Sequence, residues 1–338
     1  MRGCRRCIRS SRKEQAGRET RLPNTDNLAK EISAGEPPTR DPHTSRQIVT
    51  YVLLVFAFSL VFYWLMIRAH SVGAGDGLYV LGIMWCPGLA AIATLKLNGR
   101  QLSELGWGWG KTKYQVLAWF IPLLYTFISY SIVWSAGLGG VPDPEFVGRI
   151  ASRMGPNMPA WLALLLYVAL AGTFELARSM SSALGEEIGW RGFMVPELAK
   201  VSSFTVTSLL SGLVWAVWHY PGLLFTDYNG GTPAWYGIPC FTVTVVAISF
   251  VFAWMRLKSG SLWTGVILHA SHNLYIQEIF TPLTRNTGRT NWYIDEFGAV
   301  LPLVAIVFAV YFWRRRSELP VLLAVSSLSG GSKLVGCG

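Results

Sequence analysis

Gly185-Glu186-Glu187-Ile188-Gly189-Trp190-Arg191-Gly192 sets two adjacent carboxylates and an arginine between strongly apolar segments. Ionisable groups at membrane depth are costly, so they are rare unless paired or functional. Glu187 and Arg191 are four residues apart, one helical turn, with the acid N-terminal to the base, the favourable order for an internal ion pair. Glu186 lies about 100° around the helix from Glu187 and has no base three or four residues downstream. A carboxylate without an ionic partner beside a paired one suggests an acid/base group held by a rigid neighbour. The alternative is a helix end at the membrane surface carrying ordinary solvated charges.

The surrounding chain decides that this is a membrane protein. Of 338 residues, 51% are hydrophobic and 14% charged, against about 25% charged in a soluble domain. A spanning helix needs about 20 largely apolar residues. Eight segments qualify: 48–67, 78–95, 115–136, 160–184, 204–226, 235–255, 261–281 and 297–313. The expected fold is therefore an all-α polytopic membrane protein of about eight transmembrane helices. Its parts are a disordered basic tail (1–47), N-terminal membrane helices (48–136), a helical core (160–281), and a last helix with its tail (297–338). Glu175 and Arg178 fall in the fourth span and are expected to pair inside the bundle.

The net charge of +10 reflects topology rather than nucleic-acid recognition. With the N-terminus inside, inner segments carry 23 of the 29 Lys and Arg and outer loops five. That bias places both termini in the cytoplasm, and a bacterial plasma membrane is the expected location. The basic tail either touches anionic lipid or is simply solvated. The five cysteines, Cys4, Cys7, Cys86, Cys240 and Cys337, form no disulfide framework, and Cys4-x-x-Cys7 has no second pair for zinc.

His43 and His70 have no acidic or histidine company, whereas three other histidines lie in apolar segments. His219 follows Trp215 by four residues; His269 precedes Asn273 by four and shares its helix face, with His272 somewhat aside. A single such histidine is often a hydrogen bond between helices. Together with Glu186 or Glu187 the set fits water activation against a carbonyl. A carboxylate near histidine takes a proton from water, and histidine with asparagine stabilises an oxyanion. Alternatively a glutamate and two histidines hold zinc with one position open to water. His-Glu-x-x-His and Gly-x-Ser-x-Gly are both absent.

Three motifs in order, Glu186-Glu187-x-x-x-Arg191, Trp215-x-x-x-His219 and His269-x-x-x-Asn273, resemble the CPBP family of intramembrane proteases. That family takes in type II CAAX prenyl endopeptidases and bacteriocin-processing or self-immunity proteins. The second motif commonly has Phe where Trp215 stands. The resemblance covers about 160–281 and implies an intramembrane endopeptidase acting on a prenylated or membrane-anchored protein or peptide in the lipid bilayer. It implies that Glu186 and His219 activate water, that His269 and Asn273 bind the oxyanion, and that Glu187 and Arg191 support the site beside Trp215. If zinc takes part, Glu186, His219 and His269 are its ligands. His272 matches no motif position and is left as a residue that supports the site from behind or packs. A non-proteolytic immunity or scaffold protein is the alternative, and a small-cation carrier a third reading.

Straight helices starting at one membrane edge put His219 about 22 Å deep, His269 about 12 Å deep and Glu186 near the surface, at 1.5 Å per residue. To reconcile these, either helix 4 stays inside the protein past Glu186 or the fifth span begins late. The breaker residues favour an amphipathic elbow near 193–202, with the site opening toward the cytoplasm.

Overall fold

The computed structural model describes residues 41–155 and 157–320. Most of the basic tail, Cys4, Cys7, Cys337 and the end of the C-terminal tail lie outside the described residues. Helices form all the regular structure described, and no strand occurs among these residues. In chain order they are α1 (Pro42–Ala69), α2 (Leu78–Leu97), α3 (Thr112–Ser135), the short α4 (Pro144–Met154) and α5 (Ala160–Val201). Then follow α6 (Phe204–Phe225), α7 (Ala234–Ser259), α8 and α9 (Val300–Arg314). α8 comprises Trp263–Asn273, a π-helical stretch Leu274–Phe280, and Thr281–Leu283.

Six of these, α1, α2, α3, α5, α6 and α7, are long and apolar enough to cross a membrane. The chain is thus an integral, multi-pass, all-α protein. The other two expected spans are present as helices, α8 interrupted by its π stretch and α9 only 15 residues long. α1 begins at Pro42, before the expected start, because the Asp41 carboxylate accepts from the His43 and Thr44 backbone N–H groups and Pro42 sits where no donor is needed. α4 falls in an expected loop. Its apolar residues, Phe146, Val147 and Ile150, make one buried face, which a search for continuous apolar runs misses.

The largest departure concerns α5. No elbow interrupts 193–202. The helix runs 42 residues to Val201, passing through π turns at Ala171–Glu175 and Ile188–Met194, and breaks only where Ser203 caps α6. Helix 4 does stay inside the protein past Glu186, since Ile188 through Val195 are all buried. Glu186 therefore stands fifteen residues from the end of α5 and His219 fifteen from the start of α6, each about 22 Å along its axis. The expected levels did not meet because α5 had been ended too early.

Small residues set how close α5 lies to its neighbours. A Cβ on Gly88 of α2 would stand 2.5 Å from the Gly185 carbonyl oxygen, and one on Gly189 2.6 Å from the Pro87 backbone. On the other side a Cβ on Gly265 of α8 would stand 2.5 Å from Glu187 Oε2. Without a hydrophobic force between helices in lipid, such backbone approach supplies the packing. Hydroxyls that must be buried, at Ser59, Thr94, Ser129 and Ser249, donate to the carbonyl four residues back.

The first half of α5 behaves differently. Glu175 and Arg178 do pair, at 2.6 Å, but on the outer surface, where Arg178 also approaches Glu278 at 3.7 Å. The expectation of a pair inside the bundle is corrected: both side chains, and Phe174 next to Glu175, are exposed.

Replacing Gly189 by leucine forces α2 and α5 apart. Overpacking of this kind costs about 1–3 kcal/mol or more, and the Gly189→Leu protein should unfold at lower temperature in detergent than wild type.

Candidate active site

The paired acids lie at the centre of the bundle, with Glu186, Glu187 and Arg191 exposed to 2%, 0% and 1%. Arg191 Nη1 donates to Glu187 Oε1 at 2.9 Å. The same oxygen lies 2.9 Å from His269 Nδ1 on α8. The Arg191 guanidinium is sandwiched between Trp215, 4.2 Å from its ring centroid, and Phe252 at 3.8 Å. Arg256 Nε donates to the Arg191 carbonyl at 2.8 Å, which ties α7 to the π turn of α5. The reading of surface charges is excluded; these are buried and partnered.

Glu186 has no ionic partner but is not bare. Its Oε2 accepts from Trp190 Nε1 at 3.0 Å and from Trp215 Nε1 at 2.8 Å. Trp190 is one turn along α5, and Trp215 comes from α6. His219 lies 2.9 Å, through Nδ1, from the Trp215 carbonyl oxygen. A carbonyl only accepts, so Nδ1 carries the proton and Nε2 keeps a free lone pair. The Trp215 ring centroid is 5.4 Å from that of His269. This one tryptophan thus bridges the levels of Glu186, His219 and His269, which straight-helix depths had kept apart.

Glu186, His219, His269 and Asn273 all line one cavity of about 370 Å³. Its remaining walls come from Tyr63 and Met66 late in α1, Val80, Ile83 and Met84 early in α2, and Phe241, Thr244, Val245 and Ile248 in the first half of α7. These positions lie toward the end of the bundle opposite the described chain ends. Cytoplasmic termini would thus put the cavity toward the far side of the membrane, because the helices run antiparallel.

His272 does more than pack. Its Nε2 donates to Glu296 Oε1 at 3.0 Å, which leaves Nδ1 to accept from the Tyr125 hydroxyl at 2.5 Å. Glu296, in the loop between α8 and α9, also accepts from Gln277 at 3.2 Å and, through Oε2, from the Tyr228 hydroxyl at 2.9 Å. Glu296, His272, Gln277 and Tyr228 line the same cavity. Sequence reasoning missed this second carboxylate, since no helical spacing links a loop residue to α8. The only hint was an acid pair, Asp295-Glu296, against the last apolar segment. Burial works to raise the Glu296 carboxyl, but His272 and Tyr228 outweigh it and hold it below its ordinary value. Burial, with the Glu296 charge beside it, raises Asp295 to about 7.

These donors do not fit a metal. Among the described residues no three His, Cys, Asp or Glu side chains are arranged to hold one. The expected set of Glu186, His219 and His269 does not converge as ligands, and no step below runs through a metal.

Fold and site thus define a multi-pass helical membrane protein with a largely apolar cavity into which carboxylates and histidines project. The family model "Type II CAAX prenyl endopeptidase Rce1-like" matches residues 158–275. The chain is also 31% identical over 196 residues to CAAX prenyl protease 2 of Methanococcus maripaludis, covering 56% of this chain and 63% of that protein. The resemblance read from the three motifs is borne out as a similarity over the segment that carries them, and the chain spans less than two thirds of the length of that relative.

Two outcomes test this geometry. Arg191→Met strands the Glu187 charge in the core and should cost about 3–5 kcal/mol; adding Glu187→Gln should recover part of it, read by unfolding in detergent. Because the folded Asp295 carboxyl titrates above its unfolded value, its contribution to stability is present below about pH 4 and is lost as pH rises through about 7. Asp295→Asn should therefore unfold at higher temperature than wild type at pH 8, with the gap closing toward pH 4.

Proposed function

We propose that this protein is an intramembrane endopeptidase that hydrolyses a peptide bond near the membrane-held end of a prenylated or otherwise lipid-anchored protein. The observation carrying the proposal is that Glu186, His219, His269 and Asn273, from three helices, face one cavity. The resemblance in name of the Methanococcus protein supports it, although this chain spans only 63% of that relative.

The chemistry follows from the donors and acceptors. A water between Glu186 and His219 gives its proton to the free His219 Nε2 or to the Glu186 carboxylate and attacks the scissile carbonyl carbon. Asn273 and His269 stabilise the oxygen that becomes negative. For His269 this role needs an Nε2–H, so the ring is the imidazolium, whose charge the Glu187 carboxylate at Nδ1 balances. The collapsing intermediate expels the amine, which takes back the proton held by His219 or Glu186. Apolar walls from α1, α2 and α7 keep bulk water from the reacting atoms and suit an apolar chain. The bias of Lys and Arg orients the termini to the cytoplasm; on that orientation the cavity lies toward the opposite leaflet.

Purified protein in liposomes, given a farnesylated Cys-a-a-X peptide and a panel of membrane-tethered peptides, tests the reading. Wild type should cleave at least one. Glu186→Ala and His219→Ala should each lower kcat by about 10²-fold or more, the scale of a lost acid–base group. Peptide binding without cleavage by a folded wild type would favour the scaffold or immunity reading. Full activity in both variants would remove these residues from the chemistry.

A further inference from the structure

The site as assigned uses one carboxylate, yet a second, Glu296, faces the same cavity from the α8–α9 loop. Nothing in the catalytic scheme employs it. It is 4% exposed, and it accepts three hydrogen bonds from residues on two walls: His272 and Gln277 on α8, and Tyr228 just after α6. A buried carboxylate held this thoroughly is costly to keep charged unless the charge is used or balanced.

Tyr228 is the link to the reacting groups. Its ring lies 6.3 Å from the His219 ring, inclined by 32°, while its hydroxyl donates to Glu296. Phe241 closes the third side, 5.1 Å from His219 and 6.3 Å from Tyr228. His272 is the next residue but two after His269 and directly precedes Asn273 on α8. Glu296 therefore braces the flank of His219 with one oxygen and the helix turn bearing His269 and Asn273 with the other.

We propose that Glu296 is a positioning and electrostatic residue of this site, holding Tyr228 and His272 in place and supplying the negative charge that stabilises His219 when it takes the proton of the attacking water. The inference rests on the endopeptidase reading above. No bond changes at Glu296: the proton moves from water to His219, and Glu296 stays an anion throughout. The charges facing His219 are Glu186 from α5, His269 from α8 and Glu296, with Tyr228 beside it. Those facing Glu296 are His272, Tyr228, Asp295 and His219; Tyr125 and Tyr130 close the outer shell through His272 and the Asp295 backbone.

The test compares wild type, Glu296→Gln, Glu296→Asp and Tyr228→Phe as full-length protein in liposomes, with kcat and KM for a cleaved peptide measured from pH 5 to 9. Glu296→Gln keeps the shape and one acceptor oxygen but loses the charge. Its kcat should fall roughly tenfold with KM little changed, and the acidic limb of kcat/KM should move about one pH unit lower, because an anion nearby favours the protonated imidazole by about that much. Glu296→Asp, which keeps the charge but draws it back from the cavity, should move the limb lower by a smaller amount. Tyr228→Phe should lower kcat without moving the limb. If Glu296→Gln does not fold, a limb moved lower in Glu296→Asp, whose charge is drawn back from the cavity, supports the proposal and an unmoved limb overturns it. An unmoved limb and unchanged kcat in folded Glu296→Gln overturn it while leaving the endopeptidase reading intact. A wild type that cleaves nothing overturns both.

Discussion

A buried carboxylate, Glu187, is the constraint on which the site depends. One of its oxygens takes an arginine from its own helix and a histidine from α8. Bringing that charge out of water costs several kcal/mol, so both partners and the ring sandwich over Arg191 have to be in place together. Gly265 allows α8 to approach the carboxylate closely enough. The ion pair thereby fixes the distance between α5 and α8 and, through Trp215 over the guanidinium, the rotation of α6.

Rigid packing around Glu187 explains why Glu186 can remain without a countercharge. It directly precedes Glu187 on the same helix and lines the cavity, with two indole N–H groups as its donors. Indoles are donors only and carry no charge, so they orient the carboxylate while leaving its other oxygen to the cavity. The π turn that follows widens the helix at 188–194, and π turns recur at functional sites. Here it lets Trp190 and Arg191 project to different neighbours within one turn.

The cavity is enclosed by two acids that have different company. Glu186 is held by tryptophans near His219, and Glu296 by tyrosine, histidine and glutamine from one loop and α8. Ordering that loop joins the α6–α7 and α8–α9 connections at the same end of the bundle. The end nearest the cavity is therefore closed by hydrogen bonds, whereas the α2–α5 contact is closed by backbone approach at glycines.

Much of this was legible in the chain. Runs of about twenty apolar residues gave the helices, because in lipid every backbone group must be satisfied within its own segment. The Glu187–Arg191 pair followed from helical spacing, and the histidines stood out because polar groups in apolar runs are expensive. What tertiary structure alone decided was company. Only the packing of α6 on α5 made Trp215 a donor to Glu186, and only α8 made His269 the partner of Glu187 rather than of Glu186. The length of α5 was hidden because polar residues after Ala183 look like an exit from the membrane when they in fact enter the protein interior. Glu296 was hidden for a related reason: a loop residue has no period, and its place is set by the elements it happens to bridge.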